Sequence, residues 1–304
     1  IETLISNVGW TPDGRVLAQW QDRAQTWLDL VVFDETGGPR TLLRETTKAW
    51  VERSGNMPHY LADGSFLWAC DRDGFHHVYR HAADGSLLNA VTAGAWDVVD
   101  VHGVDETNGL LYFTAEERSP ITTDVYKIGL DGKNLKRLTA EPGTRMNVRF
   151  SPDFSMFLEY FTNVDTPIRQ HLRDGAGKIV RVVDENPSPL WRALKKGKTT
   201  FQQVETRDGF KMETMLIVPP DFDASKKYPV MSFLYGGPNT PQVRDAFTRN
   251  SLFYYLLAQE GYVVWMCDNR SASGKGWGSA WPIHKNMGEL ELRDQLDGLA
   301  WLKK

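Results

Sequence analysis

Cysteine is nearly absent from this chain, and its scarcity sets the first limits. The two that occur, Cys70 and Cys267, lie in segments of different pattern, so neither a disulfide framework nor a cysteine-based metal site is implied, and both read as small buried hydrophobes. No apolar run approaches the roughly 20 residues that a membrane-spanning helix requires. Neither sign of charge dominates: 35 basic and 39 acidic residues leave a formal net charge of -4, dispersed rather than striped, which excludes the electrostatic footprint of a nucleic-acid surface. There is no His-Glu-x-x-His helix or other metal-ligand spacing, and Gly274-Lys275-Gly276-Trp277-Gly278 lacks the Walker spacing and its Lys-Ser/Thr ending, so no metal, nucleotide or other cofactor is expected. The chain opens at Ile1 without Met, a basic n-region or an apolar h-region. It therefore reads as a mature or excised segment whose missing signal sequence says nothing about compartment.

What the sequence does contain is aromatic residues, eleven Trp and ten Tyr, which suit the half-buried faces of many short strands. A turn signal followed by a hydrophobic strand recurs every 45 to 50 residues or so. Asp13-Gly14, Asp63-Gly64, Asn108-Gly109 and Asp153-Phe154 precede Val16 to Trp20, Phe66 to Cys70, Leu110 to Thr114 and Met156 to Phe161. A second series, Gly37-Gly38, Asp84-Gly85, Asp131-Gly132 and Asp174-Gly175, follows strands at Asp29 to Phe33, His77 to His81, Asp124 to Ile128 and Ile168 to Leu172. Asp-Gly and Asn-Gly predict two-residue type I′ hairpins, whose central positions both need positive φ. Two interleaved series at one period predict four four-stranded blades of a β-propeller over residues 1–190, with further blades upstream and an exit linker at Asn186-Pro187-Ser188-Pro189.

From Phe201 the pattern changes. A strand pair, Val204 to Arg207 and Lys211 to Val218, leads into a strand at Tyr228 to Leu234 that reads as buried on both faces. A helix over Asp245 to Glu260 follows, with Leu252, Phe253, Leu256 and Leu257 as its apolar face and Gly261 as its stop. Then come a buried strand, Tyr262 to Cys267, and a helix, Glu289 to Leu302, with Leu292, Leu296 and Leu299 on one face. Glu289 and Glu291 in its first turn read as stabilisers of the helix dipole. This order predicts a parallel sheet with right-handed crossovers over residues 191–304. The loop Tyr235-Gly236-Gly237-Pro238 then stands at the C-terminal end of a parallel strand, where such folds place their sites. A Tyr hydroxyl there could serve an oxyanion hole, or Tyr235 could be an ordinary strand-end aromatic.

Through most of its length the chain resembles the dipeptidyl peptidase IV branch of the prolyl oligopeptidase family. The resemblance is carried by Met57-Pro58-His59-Tyr60, Gly94-Ala95-Trp96-Asp97-Val98, Lys227-Tyr228-Pro229-Val230, the Tyr235 loop, Leu257 to Val264, Asp268-Asn269-Arg270, and Gly288 with Glu291, Asp294 and Gln295. It implies that residues 191–304 are the first half of an α/β-hydrolase domain, with Tyr235 as its oxyanion tyrosine. It also implies a serine exopeptidase that removes dipeptides after Pro or Ala, with peptide as its substrate partner. An extracytoplasmic homodimer is the family habit. Relatives often have Gly where Ser271 stands, which leaves that loop's shape open, and the acidic pair that grips a free N-terminus finds no match here. No G-x-S-x-G elbow occurs between Ile1 and Lys304. The nucleophile Ser, the acid and the His would therefore lie beyond Lys304, leaving this segment alone inactive and His59, His76, His77, His81, His102, His171 and His284 non-catalytic. An oligopeptidase or acylaminoacyl peptidase of the same fold, and a non-catalytic propeller binding homologue, are the alternatives.

Overall fold

The computed structural model describes residues 2–52 and 57–304; Ile1 lies outside them. Sixteen strands form four antiparallel meanders in chain order. The first holds β1–β4, at Thr3–Trp10, Val16–Asp22, Leu28–Phe33 and Pro39–Glu45. The second holds β5–β8, at His59–Tyr60, Phe66–Cys70, His77–His81 and Leu87–Ala90. The third holds β9–β12, at Val98–Asp105, Leu110–Ala115, Asp124–Gly129 and Lys136–Arg137. The fourth holds β13–β16, at Thr144–Phe150, Met156–Asn163, Thr166–Asp174 and Ile179–Asp184. The inner strands of each sheet carry the buried apolar residues, and successive sheets share them. Leu17, Leu30 and Leu42 pack on Phe66, Trp68 and Tyr79; Leu67 and Val78 pack on Leu111, Phe113 and Tyr126; Tyr112 and Val125 pack on Val148 and Phe157. Sheets stacked face to face in sequence are propeller blades, since a lone four-stranded meander leaves an apolar face in water.

The hairpins correct one expectation. The turns ending at Gly14, Gly37, Gly64, Gly85, Gly132, Phe154 and Gly177 are type I turns closed by a left-handed fourth residue, not type I′ turns. Gly14 N–H donates to Thr11 O at 3.0 Å and Thr11 N–H to Arg15 O at 2.9 Å, and Gly14 but not Asp13 has positive φ. Pro12 sits at the second position, where its ring fixes φ negative and forbids type I′. In the second series the left-handed residues are Gly37, Gly85, Gly132 and Gly177, so only in the last turn does the left-handed residue lie outside the predicted dipeptide. Three of these four glycines lie against the preceding blade. A Cβ at Gly85 would stand 1.8 Å from Leu42 O, at Gly132 2.7 Å from Ala90 O and at Gly177 1.8 Å from Leu138 O, whereas at Gly37 it would meet nothing within 4 Å.

Beyond the blades, Ser188 caps a short helix α1 (Pro189–Ala193) by accepting from Trp191 N–H, so the linker ends in a helix. A mixed sheet follows in the order β17-β18-β20-β19, built from β17 (Thr199–Glu205), β18 (Lys211–Ile217), β19 (Val230–Phe233) and β20 (Val263–Cys267). The strand expected from Val204 thus begins at Thr199. The β19–β20 pair is parallel, bridged by α2 (Ser251–Gln259). With α3 (Glu289–Leu302) on the opposite face, this is the opening half of an α/β-hydrolase sheet.

Three details differ from expectation. β19 is an edge strand, with Val230 46% and Met231 37% exposed, not buried on both faces. α2 starts at Ser251 rather than Asp245 and buries Tyr254, Tyr255 and Ala258, with Leu252 and Leu257 half-buried against the same core and Phe253 and Leu256 exposed. α3 turns Leu292 and Leu296 outward, 60% and 50% exposed, and buries Asp294, Gln295 and Gly298.

Candidate functional site

Tyr235 follows β19, where the chain turns sharply: Gly236 has φ 84° and Asn239 φ 44°, both left-handed. The phenol ring lies over Gly237, where a Cβ would come within 2.3 Å of its Cε1. Glycine there is what lets the ring settle on the backbone. Tyr235 is 62% exposed, and among the described residues its hydroxyl has no hydrogen-bond partner, so it is free to donate.

The loop is held from two sides. From the end of β20, Asp268, buried, accepts from Gln242 N–H and Val243 N–H, each at 2.9 Å. Burial pushes its carboxyl up to about 6, against the pull of those two donors. Asn239 N–H donates to Ser271 O at 2.6 Å, and Ser271 Oγ donates to Gly236 O at 3.0 Å. Ser271 is thus accommodated in a closed loop. Arg270 runs back to Asp294 of α3, at 2.8 Å from both Nε and Nη2, and to Asp208.

From the blades, Arg244 pairs with Glu116 and donates to Pro120 O at 2.8 Å. Burial raises the Glu116 carboxyl, with Arg244 opposing that rise. Asp245 N–H donates to Ile121 O at 2.8 Å. The Asp245 carboxylate accepts from Val164 N–H at 3.0 Å, and its carbonyl accepts from Thr144 Oγ1 at 2.9 Å. A second seam runs through Gly278 N–H to Gly74 O at 2.8 Å and the edge-to-face pair of Trp50 and Trp277. The segment expected to be the first turns of α2 is in fact the strap that fastens this loop to the third and fourth blades.

The remaining singled-out residues sit elsewhere. His76 bonds Asp71 at 2.7 Å, His77 lies between Thr92 and Gly94 O, and His171 sits beside Glu159. Each has a local partner inside a blade. Glu116 and Glu117 adjoin in sequence, but Glu116 is committed to Arg244 and Glu117 accepts from Tyr126 Oη at 3.1 Å. Cys70 and Cys267 are buried and free, and burial drives the Cys267 thiol up to about 12, leaving it protonated and inert at neutral pH. Glu291 does more than stabilise a dipole, since its carboxylate accepts from Gly288 N–H at 2.9 Å and caps α3. Among the described residues no cluster of three metal-ligating side chains occurs, and no helix is long and apolar enough to cross a membrane. Sequence reasoning gave no site role to Asp245, Glu116 or Arg244, and named Asp268 only within the Asp268-Asn269-Arg270 motif of the family resemblance.

The chain as a whole has counterparts among known proteins. The chain is 28% identical over 328 residues to dipeptidyl-aminopeptidase B of Aspergillus niger, with 97% of the chain matched to 35% of that protein. It is 27% identical over 320 residues to dipeptidyl peptidase 4 of Sus scrofa, with 99% matched to 41%. The crystal structure of Porphyromonas gingivalis dipeptidyl peptidase 4 superposes with a TM-score of 0.90 at 25% identity, covering all of this chain and 44% of that one. The chain therefore spans well under half the length of these relatives. The sequence model for the dipeptidyl peptidase IV N-terminal region matches residues 2–168, more than half of the chain, and the chain belongs to the dipeptidyl peptidase IV family.

Proposed function

We propose that the full-length protein is a serine-type exopeptidase that releases N-terminal dipeptides, with Pro or Ala at the cleavage position. Residues 1–190 are the last blades of its propeller and 191–304 the first part of its peptidase domain. The observation that carries this reading is Tyr235: an exposed phenol with an uncommitted hydroxyl, at the C-terminal end of a parallel strand, on a loop strapped to propeller blades. Apolar side chains exposed on β1, among them Ile5, Val8 and Trp10, support additional blades covering the first sheet.

The chemistry follows from acyl transfer. A Ser Oγ from beyond Lys304 attacks the scissile carbonyl carbon, its proton passes to a His, and negative charge grows on the carbonyl oxygen. Tyr235 Oη–H and a backbone N–H donate to that oxygen. A donor aimed at the developing charge is worth about 3 to 4 kcal/mol in such sites. Collapse expels the amine, and water then hydrolyses the acyl-enzyme. Residues 1–304 alone hold the donor but not the nucleophile and are inactive on this account.

The test is to assay the full-length protein on Gly-Pro reporters with free and blocked N-termini and to map the residue labelled by a fluorophosphonate. Turnover of the free-amine substrate with a labelled Ser beyond Lys304 is expected. Preference for the blocked substrate would reassign the protein to oligopeptide or acylaminoacyl cleavage, and absence of labelling and turnover would make it a binding protein.

A further inference from the structure

We infer that Ser271 is a positioning residue for Tyr235: its hydroxyl and carbonyl together lock the turn on which the phenol ring rests. The inference rests on the reading of Tyr235 as the oxyanion donor.

The turn from Gly236 to Asn239 has two left-handed residues. Glycine adopts such a conformation freely and asparagine more readily than other side chains, so what sets the turn's position is its bonding. Both fastenings come from one residue. Ser271 Oγ donates to Gly236 O at 3.0 Å, and Ser271 O accepts from Asn239 N–H at 2.6 Å, so Gly237 and Pro238 are bracketed between two bonds to the same side chain and backbone. Gly237 is the floor under the Tyr235 ring. A shift of that floor moves the phenol oxygen, and oxyanion stabilisation depends on the donor already standing where charge develops.

Ser271 is itself fixed. Its hydroxyl accepts from Asn269 Nδ2 at 2.6 Å, which leaves its single proton for Gly236 O. Gln295 of α3 donates to Cys267 O at 2.7 Å, and its Nε2 stands 3.5 Å from Asn269 Oδ1. Ser271 and Asn269 are fully buried and Gln295 nearly so. A polar chain therefore runs from α3 through Asn269 and Ser271 to the turn, inside protein, where a lost partner is not replaced by bulk water. Glycine at position 271 would supply the carbonyl contact but not the hydroxyl one.

The experiment is a double-mutant cycle in the full-length protein with Ser271→Ala and Tyr235→Phe, read as kcat and KM on a Gly-Pro reporter. Ser271→Ala is expected to lower kcat about tenfold, equivalent to 1.4 kcal/mol, with KM within twofold. Ser271→Cys, which keeps a weak donor, should recover part of the loss. In the Tyr235→Phe background Ser271→Ala should have little further effect. Amide exchange across residues 235–243 should quicken in Ser271→Ala, a readout independent of turnover. If Ser271→Ala leaves kcat unchanged, or lowers it equally with and without the Tyr235 hydroxyl, the positioning role is wrong while the Tyr235 reading stands. If Tyr235→Phe itself leaves kcat unchanged, the oxyanion reading fails and this inference with it.

Discussion

The stacking of blades can be tested at a single Cβ. In Gly85→Ala the new methyl would stand 1.8 Å from Leu42 O of the preceding blade, a distance no packing tolerates. The residue also has φ 94°. The left-handed conformation alone costs an alanine about 1 to 2 kcal/mol. Forcing two backbones apart adds about 1 to 3 kcal/mol, as overpacking does in well-packed interiors. Gly64→Ala is the matched control: φ is 82°, the turn is the same type, and nothing lies within 4 Å of its Cβ position. It should lose only the conformational part. Urea unfolding of the full-length variants, followed by tryptophan fluorescence since Trp68 is buried between the two blades, should therefore separate them by roughly 2 kcal/mol. Equal losses would show that the turn at Gly85 does not rest on β4 and would refute the stacking.

Two further outcomes follow. Gly37 is the first blade's equivalent of Gly85 and has open space at its Cβ position, so in the full-length protein Gly37→Ala should be as damaging as Gly85→Ala if another blade packs there, and as mild as Gly64→Ala if none does. Asp97 is buried and accepts from His76 N–H at 2.7 Å, and burial, reinforced by Glu116 and Asp71, pushes its carboxyl up to about 7. Because the folded state then holds a proton that the unfolded state has released, stability is highest below about pH 4 and falls as pH rises to 7, by something on the order of 2 to 4 kcal/mol from this group. Asp97→Asn should gain on the wild type between pH 5 and pH 8 in urea unfolding, and an identical difference at both values would exclude that account.

The blades were legible because their turns need particular residues. Glycine at the left-handed position and Asp two to four residues from its bonded partners, as when Asp63 accepts from Ser65 N–H at 2.9 Å, leave a periodic mark. Pro12 and Pro152, at the second position of turns of the first series, fix φ negative there and so favour type I geometry. Helix existence was legible, but helix facing was not. Leu252 to Leu257 of α2 is apolar on all sides, so periodicity cannot choose, and the choice falls to Trp191, which packs against Tyr255 at 4.9 Å between ring centres. In α3 the leucines mark the outer face because Gly298 must lie against Cys267, with Sγ 2.9 Å from where a Cβ would be, and Asp294 and Gln295 are drawn in by Arg270 and Cys267 O. Tyr235 could be named from its strand-loop context and the family resemblance. The residues that hold its loop from the blades, Glu116 and Arg244 among them, are brought together only by tertiary structure and carry no local pattern, and Asp268 was marked by its motif but not by its role.

The most direct test of the whole account is Tyr235→Phe in the full-length protein, a substitution that removes one exposed oxygen and leaves the ring over Gly237. Steady-state kinetics on a free-amine Gly-Pro reporter should show kcat lowered about 100- to 1,000-fold, with KM nearly unchanged, as expected for a donor engaged mainly in the transition state. An unchanged kcat would contradict the placement of the oxyanion at this loop.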